Sequence, residues 1–172
     1  MGGVRRIVVG VHGSLGSLQA LRWAAEEAGD RQVPLVPVIA WMPPGGDLAE
    51  RSHPSAYLRR VWQDAARARL LAAFDESLGG VPADLRVQAR VERGETGPVL
   101  VDIASQREDL LVIGTGRRAG LRRLFHSPVG RYCLARAKCP VLAVPPSLLM
   151  DEVGHGLRSW HLRRHVLLPQ DI

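Results

Sequence analysis

The sequence has few cysteines and no long apolar run, and each shortage excludes a class of protein. Cys133 and Cys139 are its only cysteines, too few for the disulfide framework of a small secreted domain. No apolar run approaches the roughly 18 residues that cross a bilayer. The first residues also lack the charged and then apolar pattern of a signal peptide. We therefore expect a cytoplasmic protein that does not enter a membrane.

Aromatic residues are scarce as well, at 5% of the chain, although apolar residues of all kinds reach 46%. This composition is typical of a packed globular domain whose core consists mainly of small aliphatic side chains. A chain of 172 residues suits one domain with a full core. We place that domain at residues 1–146 and interpret 147–172 as a basic C-terminal tail.

Acidic residues are missing altogether between Leu110 and Met150. The same stretch carries seven positive charges, on Arg117, Arg118, Arg122, Arg123, Arg131, Arg136 and Lys138. Such a block favours an anionic partner, for example a phosphate group, a nucleotide or a polyanion. An ordinary arginine-rich surface is the alternative interpretation, since Lys138 is the only lysine of the chain.

Short apolar runs alternate with segments of helical periodicity along the chain. The predicted strands are β1 at 5–11, β2 at 34–41, β3 at 85–91, β4 at 110–113 and β5 at 141–144. The first predicted helix runs from a cap at Ser14 or Ser17 to residue 28 and is ended by Gly29-Asp30. The other predicted helices are 57–78, 99–105 with Thr96 as its cap, and 127–137, begun by Ser127-Pro128. The alternation predicts an α/β domain of three α/β/α layers around a parallel sheet. Its ligands would bind beyond the carboxyl ends of the strands, at the loops after β1 and β4.

Three segments, taken in order, resemble one known family. They are residues 7–14 with 20–24, residues 110–117 with 126–127, and residues 139–144. Together they resemble the universal stress protein family over residues 4 to 146. The resemblance implies a nucleotide α-hydrolase-like fold with a five-stranded sheet in the order 3-2-1-4-5. It also implies a homodimer formed through the edge strand β5, at residues 141–145.

In one branch of that family the resemblance further implies bound ATP or AMP, with Mg²⁺ as an accompanying ion. That branch has a loop of glycine, two residues, glycine, nine residues, glycine, and then serine or threonine. Gly114 matches the first glycine and Ser127 the hydroxyl residue. Arg117 and His126 replace the other two glycines, and the loop is one residue shorter. His12 replaces the acidic residue that the family has at the end of β1.

A helix that begins at Ser127 can bind an anion through its free N–H groups, its positive dipole end and the serine hydroxyl. Pro128 removes one of those donors, and His126 adds bulk where a ligand would approach. Replacing the acid by His12 removes the partner of the ribose or adenine. Each lost hydrogen bond to a charged group costs roughly 1.5–3 kcal/mol, so we expect weak or conditional binding.

These arguments predict a non-catalytic regulatory module that binds ATP, AMP or another small anion in the crevice between β1 and β4. The predicted contacts are His12, Gly13, Ser14, Ala40, Trp41, Gly114, Thr115, Gly116, Arg117, Gly120, His126, Ser127 and Val129. One alternative is a dimeric interaction module of the same fold that binds no nucleotide and acts through its basic loop and tail. Another is an ATP-using enzyme of the related nucleotide α-hydrolase-like group, although 12–17 lack the Ser-Gly-Gly-x-Asp-Ser loop of its pyrophosphatase members.

Other polar residues receive plainer interpretations. We expect no catalytic residue and no metal site, because both cysteines suit structural positions and no zinc-type spacing occurs. His161 and His165 are interpreted as part of a solvated tail. The carboxylates Glu92, Glu95, Glu108 and Asp109 are interpreted as surface or capping groups. No nucleic-acid motif is present, and Trp23, Trp41 and Trp62 suit core positions better than a base-stacking surface.

Overall fold

A computed structural model describes residues 3–46, 51, 54–115 and 127–146 of the chain. The predicted tail and most of the arginine-rich loop lie outside these ranges. Within them the elements follow one another as β1 (Arg6–Gly10), α1 (Leu15–Arg31), β2 (Leu35–Trp41), α2 (Ala56–Leu78), β3 (Arg90–Arg93), α3 (Thr96–Ile103), β4 (Asp109–Gly114), α4 (Pro128–Arg136) and β5 (Val141–Val144).

The five strands form one parallel sheet in the order β3-β2-β1-β4-β5. The central strand β1 has neighbours on both sides, so that Val8 lies between Val36 of β2 and Leu111 of β4. Its residues Ile7, Val8 and Val9 are fully buried, as expected for a strand covered on both faces. The predicted fold class and strand order are confirmed.

Alternate strand residues pack into two separate apolar clusters, one on each face of the sheet. Ile7 and Val9 pack with side chains of α1 and α2, whereas Val8 packs with side chains of α3 and α4. In α1, Ala20 and Ala24 are fully buried, and their small side chains allow the helix to lie close to the strands. These two clusters complete the predicted α/β/α layers.

The predicted end of α1 at Gly29-Asp30 is wrong, because the helix continues to Arg31. It ends at Gln32, which adopts the left-handed conformation (φ 55°) and donates its backbone N–H to the carbonyl of Gly29 at 3.1 Å. Gly29 lies inside the helix, and a Cβ built there would make ordinary contact with Leu85 at 3.5 Å. A glycine inside a helix costs only about 1 kcal/mol, which tertiary packing can offset.

Two elements around the third strand also differ from their predictions. The strand is Arg90–Arg93 rather than 85–91, and the earlier residues meet β2 only through a bridge between Val87 and Leu35. The following helix begins at Thr96 instead of 99, with Glu95 at the N-cap position. Thr96 therefore lies inside the helix and is not its cap.

Asp109 corrects the interpretation of that carboxylate as a surface group. Its side chain is 1% exposed and lies against the Arg6 guanidinium, with Nε to Oδ1 at 2.6 Å and Nη2 to Oδ2 at 2.9 Å. Asp109 also accepts the backbone N–H of Gln106 at 3.0 Å, in the turn between α3 and β4, so it does not cap a helix. The side-chain hydrogen bond to Asp109 raises the pKa of Arg6. Arg6 and Asp109 are register partners in β1 and β4, which sequence spacing does not reveal.

Candidate functional site

An open cleft of about 800 Å³ lies over the carboxyl end of β2, between the first turns of α3 and α4. The described residues that line it are Ala40, Met42, Gly94, Glu95, Thr96, Gly97, Pro98, Pro128, Val129, Arg131 and Tyr132. Carbon-rich side chains of Ala40, Met42, Val129 and Tyr132 form much of its wall. Among these described residues, the charged side chains are those of Glu95 and Arg131.

Two glycines shape the floor and one side of this cleft. Gly94 has a φ of +143° and donates its N–H to the carbonyl of Trp41 at 2.9 Å. A Cβ at Gly97 would lie 3.0 Å from the Cβ of Tyr132. The first turn of α3 therefore touches α4 at Tyr132, and that contact fixes how far apart the two helices stand.

Ser127 begins α4 as predicted, since its Oγ accepts the N–H of Gly130 at 3.4 Å and its carbonyl accepts the N–H of Arg131 at 2.9 Å. Pro128 is the first helical residue and has no N–H to donate. Among the first-turn amides of α4, the N–H of Val129 makes no hydrogen bond with the described residues. The helix thus offers an anion one free amide, the Ser127 hydroxyl proton and its dipole.

His12, Gly13 and Ser14 lie where β1 leads into α1, and they do not line the cleft. The backbone N–H of Ser14 donates to Nδ1 of His12 at 3.1 Å. The Oγ of Ser14 accepts the N–H of Ser17 at 3.3 Å and caps α1. Gly13 has a φ of +85°, a conformation that favours glycine in this turn.

Gly114 and Thr115 lie at the carboxyl end of β4, outside the described lining of the cleft. A Cβ at Gly114 would come within 2.4 Å of the carbonyl group of Gly16, so β4 can approach α1 only through a glycine. Thr115 donates its backbone N–H to the carbonyl of Val144 at 3.0 Å and its hydroxyl at 3.4 Å. Both residues therefore have structural roles that do not involve a ligand.

The cleft brings together only some of the predicted contacts. Ala40 and Val129 line it, and Ser127 lies next to Pro128, which does. Trp41 is 8% exposed and packs in the core on the opposite face of the sheet. Gly116, Arg117, Gly120 and His126 fall outside the described residues.

Sequence reasoning missed Met42, Glu95, Arg131 and Tyr132 as lining residues, together with the turn 94–98. Residues 93–98 were interpreted simply as a turn into a helix. The strand order contained a usable signal, because β3 lies beside β2 and the loops after both strands meet at one edge of the sheet. The position of Tyr132 had no such signal, since it depends on the contact between α3 and α4.

The two cysteines are free thiols that lie in the core, Cys133 at 0% exposure and Cys139 at 8%. Burial, followed by the influence of Cys139, raises the pKa of the Cys133 thiol to about 11. Neither thiol is therefore a ready nucleophile or metal ligand at neutral pH. The described ranges contain no group of three or more metal-ligating side chains, and no helix within them is long and apolar enough to span a membrane.

Comparison with known proteins places the chain among relatives of one kind. The model of the universal stress protein family matches residues 3–145. Universal stress protein Rv2005c of Mycobacterium tuberculosis is 31% identical over 147 residues, which cover 80% of this chain and 47% of the relative. The chain thus spans about half the length of the curated relatives it matches.

Solved structures of low sequence identity share the fold. A universal stress protein in complex with cAMP has a TM-score of 0.54 and 24% identity, covering 85% of this chain and 100% of that one. The universal stress protein of Archaeoglobus fulgidus in complex with dAMP has a TM-score of 0.53 and 21% identity, covering 81% and 96% of the two chains. At these low identities the two structures show a shared fold.

Proposed function

The chain belongs to the universal stress protein family, and we propose that it is a regulatory module that binds an adenine nucleotide without catalysing a reaction. The observation that carries the proposal is the cleft of about 800 Å³ beside the first turn of α4. That volume falls within the range of roughly 300–1,000 Å³ found for small-molecule sites. Solved proteins of the same fold in complex with cAMP and dAMP support this ligand class.

The walls of the cleft suggest how the nucleotide would lie. The base would pack against Ala40 and Met42, where the wall is apolar. The phosphate groups would lie at the first turn of α4, near the Val129 amide, the Ser127 hydroxyl and the Arg131 guanidinium. ATP with Mg²⁺, AMP or another small anion could each bind these three groups through its negative charge.

The remaining predicted contacts belong to the same proposal. His12, Gly13 and Ser14, with Gly114 and Thr115, stand at the neighbouring strand ends. Gly116, Arg117, Gly120 and His126 would complete the phosphate end from the basic loop. Because Pro128 leaves α4 one amide donor fewer, we expect weak or conditional affinity.

The absence of catalysis is part of the proposal and has a structural rationale. The Ser14 and Ser127 hydroxyls act as helix caps, and both cysteines lie in the core. A serine nucleophile needs an adjacent general base and an oxyanion site. We also propose that the protein acts in the cytoplasm as a homodimer formed through β5. Protein partners would bind the nucleotide-bound and nucleotide-free forms differently.

Calorimetric titration with Mg-ATP tests the nucleotide site. Protein purified without added nucleotide is first analysed by native mass spectrometry and then titrated, with thermal unfolding as a second readout. At a free Mg-ATP concentration of 100 times the Kd, binding should raise the free energy of unfolding by about 2.7 kcal/mol. Ser127→Ala should weaken ATP binding severalfold because it removes a hydroxyl donor at the phosphate end.

Ser55→Ala is the matched control for that variant. Ser55 caps α2 by accepting the N–H of Leu58 at 3.3 Å, and it does not line the cleft. Both variants should lose a cap worth about 0.5–2 kcal/mol of stability, but only Ser127→Ala should lose ATP affinity. No binding at millimolar Mg-ATP would refute the proposal in favour of the dimeric interaction module. ATP turnover abolished by Ser127→Ala would refute the absence of catalysis.

A further inference from the structure

We infer that Glu95 makes the cleft selective for ligands with a ribose diol, by accepting hydrogen bonds from the 2′- and 3′-hydroxyl groups. The inference rests on the proposed nucleotide binding and adds to it a residue and a preference for ATP or AMP over cAMP and dAMP, which lack a free 2′,3′-diol. It starts from a carboxylate that lines a cleft and has no partner within the described part of the chain.

Glu95 occupies the N-cap position of α3, yet its side chain makes no capping hydrogen bond. A capping side chain normally accepts an N–H from the second or third helical residue. The third helical residue here is Pro98, which has no N–H, and the N–H of Gly97, the second, makes no hydrogen bond with the residues that the structure describes. The Glu95 carboxylate is exposed and makes no hydrogen bond or ion pair with any described residue. It is therefore available to a ligand.

Arg131 also lines the cleft, and it belongs to α4. Glu95 is the one carboxylate and Arg131 the one guanidinium among the described lining residues. They stand on α3 and α4 respectively, near the contact between Gly97 and Tyr132, and they do not form an ion pair with each other. A ligand in the cleft thus meets a positive group on the α4 side and a hydrogen-bond acceptor on the α3 side.

This polarity orients a nucleotide. Phosphate groups are repelled by the Glu95 carboxylate and attracted to Arg131, so they lie at the α4 end. The part of the nucleotide left near Glu95 must then supply hydrogen-bond donors, and a vicinal diol supplies two to one carboxylate. His12, at the end of β1, has no carboxylate to offer, and its Nδ1 already accepts the Ser14 N–H. Glu95 provides a carboxylate from the loop after β3.

Paired titrations with Mg-ATP and Mg-2′-deoxy-ATP test the inference. A hydrogen bond to a charged group corresponds to roughly a 10- to 100-fold change in affinity. Wild-type protein should bind ATP at least about tenfold more tightly than deoxy-ATP. Glu95→Ala should bind ATP no better than wild-type protein binds deoxy-ATP, and its own preference between the two nucleotides should disappear.

Glu108→Ala is the matched control. Glu108 is an exposed carboxylate at the amino end of β4, whereas the cleft lies at the carboxyl ends of the strands. It should keep the wild-type preference for ATP. Equal wild-type affinities for the two nucleotides, or an equal loss of both in Glu95→Ala, would overturn the role of Glu95 while leaving nucleotide binding intact. Loss of stability without loss of discrimination would show that Glu95 serves only the dipole of α3. Failure of both nucleotides to bind wild-type protein would refute the proposed function and this inference together.

Discussion

Gly114 lies where the carboxyl end of β4 meets the first turn of α1, and its missing side chain decides how closely they pack. A Cβ there would stand 2.4 Å from the backbone carbonyl group of Gly16 and 2.7 Å from the nitrogen of Ser17. Backbone atoms cannot move aside as the tip of a side chain can. This glycine matches the nucleotide-loop pattern, but the fold itself already requires it.

Gly114→Ala should therefore destabilise the protein without any ligand. The methyl group would force β4 and α1 apart, at a cost of about 1–3 kcal/mol. Gly29→Ala is the matched comparison, because its Cβ would make ordinary contact with Leu85 at 3.5 Å inside α1. That change should stabilise the protein by about 0.5–1 kcal/mol, since alanine favours helix. Urea unfolding of both variants measures the two effects, and equal stabilities would contradict the close contact at Gly114.

Individual residues were only partly predictable from the sequence. Ser127 was identified as a helix cap because serine followed by proline is a local signal, and the structure confirms it. Asp109 was misjudged because its partner Arg6 lies 103 residues away. Glu95 was interpreted as a surface or capping group; it is exposed as expected, but it makes no capping bond, because α3 begins at Thr96.

At the scale of single elements, α4 is held to the sheet by a small apolar surface that includes Cys133. The thiol is fully buried and belongs to the cluster formed with Val8, Leu111 and Cys139. Burial and then the neighbouring Cys139 raise its pKa from 9.0 to about 11. The folded protein therefore holds the Cys133 proton more tightly than the unfolded chain does.

The free energy of unfolding should fall as pH rises from about 9 to about 11. Below pH 9 the thiol is protonated in both states and its contribution is complete; above the folded pKa that contribution is lost. A shift of this size corresponds to at most about 2–3 kcal/mol. Denaturant unfolding across this pH range should show a flatter dependence for Cys133→Ala, which removes the Cys133 thiol and keeps Cys139. Identical slopes in the two proteins would contradict a buried, protonated thiol.

Element boundaries were predicted best where apolar runs end abruptly. β5 was predicted at 141–144 and is Val141–Val144, because proline residues stand on both sides of it. The edge strand β3 was predicted to begin five residues and to end two residues too early, since Arg90 and Arg93 at its ends are exposed and give no apolar signal. Glycine misled the interpretation of α1, where Gly29 is helical despite its usual role as a terminator.

At the scale of the whole molecule, the residues predicted for the site divide between two places. The sequence predicted a crevice between β1 and β4, whereas the described cleft lies over β2 between α3 and α4. Parallel topology alone indicates which edge of the sheet binds ligands but not which loops leave space there. That space depends on the contact of Gly97 with Tyr132, a packing detail between two helices distant in sequence.

The edge strand β5 is the proposed interface of the homodimer. The carbonyls of Pro140 and Val144 accept the N–H groups of Leu111 and Thr115 in or beside β4, each at 3.0 Å. In a strand, main-chain groups of alternate residues point the same way, so those of Val141 and Ala143 point outward. A two-fold axis would bring two such edges together antiparallel, pairing these groups across the interface.

Ala143→Pro should therefore dissociate the homodimer without unfolding the protomer. Proline removes the outward N–H of residue 143 and leaves the bonds to β4 in place, as edge strands tolerate. Ala143→Val is the matched control, because it keeps that N–H and suits a strand. Sedimentation over a range of concentrations should find dimers for wild-type protein and Ala143→Val, and monomers for Ala143→Pro with a cooperative urea transition. A monomeric wild-type protein, or a dimeric Ala143→Pro variant, would show that β5 does not form the interface.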